Sequence, residues 1–200
     1  MASIYLWRAF IFSIVTLVAS GPALAGEPTE KIKETTDKII VIVGDTALKG
    51  PGKADERKRL IRQAVDERFD WEEMSRRSLA RHWARRTAEE KKEFIDLFGK
   101  LLERTYLDKV EGYSGESVLY DGENVDPDDK KYVAVKVRFI TKKEIEIPVE
   151  YRLWKKKNDW RVYDISIEGV SLVNNYRKQF KGMSYGKLIQ RLRTKIAENK

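Results

Sequence analysis

Apolar residues in the first half of the chain recur every three or four positions, a spacing typical of amphipathic helices. The pattern predicts four helices, over residues 27–43, 54–69, 70–86 and 87–110. Asp70 and Thr87 are each followed three residues later by a glutamate, which is the spacing of a capping box at a helix start. The amino-terminal half is therefore predicted to be helical.

Beyond Gly112 the period of the apolar pattern falls to two residues, as in strands with one buried face. The alternation predicts strands over residues 116–120, 133–139, 145–153 and 160–167. Short polar links between them favour an antiparallel meander. Ser171 and Ser184 can then cap two further helices, which end near residues 180 and 196. This order indicates an α+β fold, with helices laid on one face of a curved, four-stranded antiparallel sheet.

The first 25 residues have the pattern of a cleavable signal peptide. Arg8 precedes an apolar run over residues 9–19, and an A-x-A cleavage site follows at residues 23–25. We therefore expect an exported protein in which residues 26–200 form a single domain. The chain has no cysteine, so we expect this domain to be held together by packing, without disulfides or thiolate metal sites.

The chain is basic, with 40 Lys and Arg residues against 32 Asp and Glu and a net charge of +8. Such a charge suits nucleic acid, acidic proteins or anionic membrane surfaces. Export argues against nucleic acid, and transient contact with a membrane surface remains as an expectation. A well-charged, soluble surface without any specific partner explains the same composition, because the acidic residues are interspersed.

Side chains that could carry catalysis are scarce. His82 is the only histidine, and one imidazole without a cysteine builds neither a metal cluster nor an activated nucleophile. Asp126, Asp128 and Asp129 lie in a predicted turn that lacks the spacing of a calcium loop, and the chain has no glycine-rich phosphate loop. We predict no catalytic residue, no metal site and no cofactor, hence no enzyme. Asp164 is the open alternative, as a structural carboxylate or an acid–base group.

Large apolar side chains on the inward stripes are the remaining candidates for function. A curved sheet bridged by helices leaves an apolar pocket unless bulky side chains fill it. For each residue taken singly, core packing is the default explanation, so a pocket wall and a filled core remain alternatives. The candidate wall residues are Trp71, Met74, Phe94, Phe98, Leu101, Tyr106, Val133, Val135, Val137, Ile147, Val149, Tyr151, Val162, Leu172, Val173, Tyr176 and Phe180.

Several stretches of the sequence resemble the MlaC family, also called the toluene-tolerance family. The resembling motifs are F-D-W-E-x-M at residues 69–74, L-A-R-H-W at 79–83, F-x-x-x-F-x-x-L-L-x-x-T-Y at 94–106 and W-x-V-Y-D-x-x-x-E-G-V-S-L-V-x-N-Y-R-x-Q-F at 160–180. The resemblance implies a fold related to the NTF2-like class. That fold is a twisted four-stranded antiparallel sheet with about five to seven helices, enclosing an apolar cavity.

The resemblance also implies a function: a monomeric, non-catalytic carrier in the periplasm, whose single domain holds a phospholipid by its acyl chains. The implied partners are the phospholipid, an outer-membrane lipoprotein complex and an inner-membrane ABC transporter with an MCE-domain ring. The implied role is maintenance of outer-membrane lipid asymmetry. Arg177 lies beside Tyr176 at the expected mouth and is the candidate for the headgroup, since arginine suits phosphate.

Two other classes of function stay open. An NTF2-like enzyme acting on a small apolar substrate would use Asp164 or a pocket tyrosine as acid or base, and it requires the Asp164 carboxylate to face the pocket. A protein-interaction module would use the basic helix surface, and its pocket would be filled by side chains. The orientation of Asp164 and the presence of an open cavity therefore separate these hypotheses from a lipid carrier.

Overall fold

One antiparallel sheet organises the protein, and each of its strands pairs with the next along the chain, in the order β1-β2-β3-β4-β5. The computed structural model describes residues 26–112 and 115–198, so the predicted signal peptide lies outside the described residues. The strands are β1 (Ser117–Val125), β2 (Tyr132–Ile140), β3 (Glu146–Lys156), β4 (Asp159–Ile167) and β5 (Val170–Ser171). The predicted meander is confirmed, with a short fifth strand added.

Helices precede and follow the sheet, as the sequence predicts. They are α1 (Glu27–Gly44), α2 (Ala54–Asp66), α3 (Trp71–Leu79), α4 (Ala88–Glu111), α5 (Leu172–Phe180) and α6 (Tyr185–Glu198). Two 3₁₀ turns, Thr46–Leu48 and Ala80–Arg85, connect α1 to α2 and α3 to α4. The α+β class is therefore confirmed.

The first strand is longer than predicted, because it continues to Val125 through a stretch expected to be a polar turn. Its pairing with β2 shifts register between Tyr120 and Gly122, where Gly122 has a φ of +107° that glycine adopts without steric cost. Polar residues are tolerated because β1 is an edge of the described sheet. The backbone N–H of Thr29 donates to Glu123 Oε1 at 2.7 Å, which holds this extension against the start of α1.

The third predicted helix is divided into two elements. Helix α3 ends at Leu79, and Ala80 has a φ of +49°, which is uncommon for a residue with a side chain. The 3₁₀ turn that follows carries His82 and Trp83, both partly buried. No glycine or proline marks the break in the sequence, so tertiary packing decides where this helix ends.

Buried apolar side chains form two large clusters. The helical cluster joins α3, α4, α5 and α6, with Phe94 and Phe98 stacked at 5.5 Å between ring centroids and Tyr176 edge-on to Phe98 at 5.2 Å. The sheet cluster packs Ile32 of α1 against apolar side chains of β2, β3 and β4. A smaller cluster joins α1, α2 and α4. Helices α1 and α2 therefore link the sheet to the helical cluster.

A buried carboxylate connects the sheet to α5. Asp164 of β4 accepts a hydrogen bond from Ser171 Oγ at 2.6 Å and from the backbone N–H of Val173 at 3.0 Å. Ser171 Oγ in turn accepts from the N–H of Asn174, which confirms Ser171 as the N-cap of α5. Arg152 Nη1 lies 3.3 Å from Asp164 Oδ2 and partly offsets its charge. These hydrogen bonds fix the orientation of α5 relative to β4.

We expect Asp164→Ala to lower the free energy of unfolding by about 3 kcal/mol, because the hydroxyl of Ser171 and the N–H of Val173 lose their buried acceptor. Urea denaturation followed by circular dichroism measures the change. The matched control is Asp128→Ala in an exposed turn, which should cost less than about 0.5 kcal/mol. Equal losses in the two variants would contradict this role for the buried carboxylate.

Candidate functional site

A cavity of about 390 Å³ lies between the sheet and helices α1 to α4. The lining residues are Ile32, Thr35, Thr36, Ile39, Ile40, Ile61, Arg62, Val65, Arg68, Phe69, Trp71, Met74, Leu102, Glu103, Tyr106, Leu107, Val110, Glu116, Phe139, Thr141, Ile147, Val149, Tyr151, Ile165, Ile167 and Leu172. Its size is that of a small-molecule site. Most of the wall is aliphatic or aromatic, so a ligand would be held mainly by apolar contact.

The two periods seen in the sequence bring these side chains to the cavity. On α1, Thr36 and Ile40 lie one turn apart and share a face. On β3, Ile147, Val149 and Tyr151 alternate with residues that point to the other face of the sheet. The cavity is therefore built from regular elements, which hold its wall in place.

The structure brings part of the predicted wall to the cavity: Trp71, Met74, Tyr106, Ile147, Val149, Tyr151 and Leu172. The other predicted wall residues lie in packed clusters, namely Phe94, Phe98, Leu101, Val173, Tyr176 and Phe180 in the helical cluster and Val133, Val135, Val137 and Val162 in the sheet cluster. The aromatic rings of the first group contact one another, and α1 covers the second group. Both groups therefore fill core instead of lining the cavity.

Helices α1 and α2 supply wall residues that sequence reasoning did not assign. Ile39 and Ile40 come from α1, and Ile61 and Val65 come from α2. Their apolar stripes are visible at helical spacing, but spacing alone does not tell whether a stripe faces packed core or open space. The missing information was the topology that places these two helices over the sheet.

The cationic side chains of the cavity come from α2 and the segment that follows it, whereas the lining carboxylates, Glu103 and Glu116, come from α4 and the segment before β1. Arg177, predicted at the rim, is exposed away from the lining, and its Nε donates to the backbone carbonyl of Arg77 at 2.8 Å. The cationic side chains that line the cavity are Arg62 and Arg68. Arg62 was missed because it falls on the predicted polar face of its helix.

Arg68 is a buried cation that ties α1 to β4. It is 8% exposed, and its Nη1 donates to Asp159 Oδ1 at 3.0 Å and to the carbonyl of Trp160 at 2.7 Å. Its Nε contacts Thr35 Oγ1 of α1 at 3.3 Å. The paired carboxylate and the backbone carbonyl offset the cost of burying the charge.

The tyrosines of the wall are neutral groups. Burial raises the pKa of the Tyr151 phenol well above its usual value, and the nearby Tyr120 raises it further. Burial also raises the pKa of Tyr106, with a smaller contribution from Tyr176. Both phenols therefore stay protonated at physiological pH, so they add no charge to the apolar wall.

Asp164 does not face the cavity. Ile165, the next residue of β4, lines it, and the alternation of a strand directs Asp164 to the opposite face. The enzyme hypothesis requires this carboxylate in the pocket, and the interaction-module hypothesis requires a filled pocket. The geometry meets neither requirement.

The described residues include no group of three or more histidine, cysteine, aspartate or glutamate side chains that could hold a metal ion. The aspartates between β1 and β2 form a hydrogen-bonded turn, in which Asp126 Oδ1 accepts from the N–H groups of Asp128 and Asp129 at 2.9 and 3.2 Å. In the described part of the chain, every helix is too short or too polar to cross a membrane.

An antiparallel sheet covered by helices, with an open apolar cavity between the two layers, defines a protein that binds an apolar or amphiphilic ligand. A family model described as "MlaC protein" matches residues 33–198. The chain belongs to the MlaC family, as its sequence motifs predict.

Two relatives of known description are similar to the chain. The "Intermembrane phospholipid transport system binding protein MlaC" of Haemophilus influenzae is 26% identical over 124 residues, which cover 60% of this chain and 58% of that relative's length. A phospholipid-binding protein from Ralstonia solanacearum, solved in complex with a phospholipid, superimposes with a TM-score of 0.78. That match has 27% sequence identity and covers 87% of this chain and 99% of the other.

Tyr151 makes the free energy of unfolding decrease at alkaline pH. Because the pKa of its phenol is higher in the folded than in the unfolded chain, the stability it contributes is complete below about pH 10 and is lost as the pH rises. Relative to the unsubstituted protein, Tyr151→Phe should gain about 1.4 kcal/mol of unfolding free energy at about pH 11 compared with pH 8. Urea denaturation at both pH values measures this difference. A difference that does not change with pH would contradict the prediction.

Proposed function

We propose that the protein carries a phospholipid between the outer and inner membranes and holds its acyl chains in the apolar cavity. The observation that carries the proposal is the open volume of about 390 Å³ with a mostly aliphatic and aromatic wall. Membership of the MlaC family supports it, as does the similarity to a protein solved with a bound phospholipid.

A cavity of this kind answers the energetic problem of moving a lipid through water. At ~0.8 kcal/mol per methylene, exposing an acyl chain of about 15 methylenes costs on the order of 12 kcal/mol. Unassisted transfer is therefore very slow. Because the wall is nearly as apolar as the bilayer interior, the lipid has a similar free energy in the membrane and in the carrier. The carrier can therefore take up a lipid from one membrane and release it to another.

We assign the acyl-chain wall to the predicted residues that line the cavity: Trp71, Met74, Tyr106, Ile147, Val149, Tyr151 and Leu172. The stripes of α1 and α2 complete the wall on the helical side. The residues of the two packed clusters act indirectly in this proposal, because they hold the layers apart. The proposed carrier performs no reaction on its lipid, which agrees with the orientation of Asp164 away from the cavity.

The sequence and the family support a proposal for the cellular setting. We place the protein in the periplasm, exported by a signal peptide over residues 1–25, with residues 26–200 as one lipid-binding domain. Its proposed partners are an outer-membrane lipoprotein complex and an inner-membrane ABC transporter with an MCE-domain ring, and its proposed role is to maintain outer-membrane lipid asymmetry. We propose a monomer that contacts membrane surfaces transiently, and the positive charge of residues 26–200, which is +7 because Arg8 lies in the signal peptide, suits anionic lipid.

Protein purified from a native periplasm should contain diacyl phospholipid, because a cavity that stays apolar in water is stabilised by acyl chains. Extraction with organic solvent and mass spectrometry identifies the lipid and its ratio to protein. Incubation of the emptied protein with phospholipid vesicles tests uptake. Absence of diacyl lipid in the extract together with absence of uptake would refute the carrier function.

Val149→Trp should reduce the bound lipid at least about fivefold, because the larger side chain occupies volume that an acyl chain would fill. Val125→Trp is the matched control, since Val125 is 52% exposed on β1 and away from the lining. Circular dichroism checks that both variants are folded. Equal lipid content in the two variants would contradict the wall assignment.

A further inference from the structure

Arg62 stands at the border between the cavity and solvent. Its side chain lines the cavity and is 28% exposed. Nε donates to Asp66 Oδ1 at 2.7 Å within α2, and Nη1 donates to Glu103 Oε2 of α4 at 2.8 Å. The guanidinium carbon lies 4.9 Å from the ring centroid of Trp71, a second wall residue. These contacts hold one cationic group at the gap between α2 and α4.

Helix α4 makes room for this guanidinium. Gly99 lies inside α4, where glycine is disfavoured relative to alanine. A Cβ added to Gly99 would come within 3.1 Å of Arg62 Nη2. The third nitrogen of the guanidinium therefore rests against helix backbone at a position with no side chain, close to the apolar wall formed by Leu102 and Tyr106 of the same helix.

The other cavity cation is less suited to an incoming anion. Arg68 is 8% exposed and is already bound to a carboxylate, a backbone carbonyl and a hydroxyl. The ion pair between Arg62 and Glu103 joins two partners with 28% and 30% exposed side chains, and a pair this exposed is weak. Asp66 is held a second time, by Trp71 Nε1 at 2.7 Å, so Glu103 is the partner that exchanges more easily.

We propose that Arg62 binds the phosphate of the lipid headgroup, with the phosphate oxygens taking the place of the Glu103 carboxylate. This assignment rests on the proposed function as a phospholipid carrier. The planar fork of a guanidinium matches a phosphate, and the adjoining apolar wall receives the acyl chains of the same molecule. Glu103 then acts as an internal anion that occupies the site in the empty protein and returns to it when the lipid leaves.

Two variants, Arg62→Met and Glu103→Gln, separate a phosphate site from a structural bridge between α2 and α4, and Arg62→Lys serves as an intermediate. The probes are dioctanoyl-phosphatidic acid and dioctanoylglycerol, which share acyl chains and differ in the phosphate, added to delipidated protein below the concentrations at which they aggregate. Arg62→Met should weaken binding of the phospholipid about tenfold and leave dioctanoylglycerol unchanged, because it removes a charge-assisted bond. Glu103→Gln should tighten binding of the phospholipid, because it removes the competing carboxylate. Arg62→Lys should bind the phospholipid with an affinity between those of the unsubstituted protein and Arg62→Met.

The test depends on opposite changes in phospholipid affinity in Arg62→Met and Glu103→Gln. If Arg62→Met and Glu103→Gln each weaken the binding of both lipids, the ion pair between Arg62 and Glu103 only holds α2 and α4 together, and the proposal is overturned. It is equally overturned if Arg62→Met binds the phospholipid normally, or if glycerol 3-phosphate alone displaces the phospholipid, since the site would then serve a free phosphate compound. Unsubstituted protein that binds neither octanoyl lipid would contradict the carrier function itself. Thermal unfolding of each variant confirms that it is folded.

Discussion

The cavity depends on one packing constraint: the helical cluster and the sheet cluster are each filled by buried side chains, and the space between α1 to α4 and the sheet is left open. Aromatic rings occupy the first cluster and branched aliphatic side chains under α1 occupy the second. Protein interiors are normally close-packed, so an open volume of this size leaves its wall without contact partners on one side. A bound ligand supplies those contacts, and the well-packed clusters around the cavity prevent its collapse in the meantime.

Polar ties at the edges of the clusters keep the layers in position. Asp70 caps α3 and also accepts hydrogen bonds from Trp154 Nε1 at 3.1 Å and Lys156 Nζ at 2.9 Å, both on β3. Arg68 joins α1 to β4, and Asp164 joins β4 to the start of α5. Each of these groups is buried and bonded, so it resists displacement more than an apolar contact does. Buried hydrogen bonds therefore hold the helices on the sheet, while the cavity between them is apolar.

The sequence predicts most elements but only part of the site, for a physical reason. Helix α4 and strands β2 to β4 have strict apolar periods, and Ser171 has the chemistry of an N-cap, so local rules suffice for them. The extension of β1 depends on the distant contact between Thr29 and Glu123, and the break after Leu79 has no local signal. Core and cavity wall use the same apolar residue types. Phe98 and Tyr106 therefore look alike in the sequence, although one is packed among rings and the other faces the cavity.

The irregular edge of the sheet has a consequence for self-association. A straight, uninterrupted edge strand offers its free amide and carbonyl groups as a template for a strand from another molecule. In β1 the register shift after Tyr120 interrupts that template in mid-strand, next to the ion pair between Asp121 and Arg138 of β2. A second copy of the chain cannot continue an unbroken ladder past this point. The register shift beside Glu123, the residue that binds the start of α1, therefore makes this edge a poorer template for strand pairing between molecules.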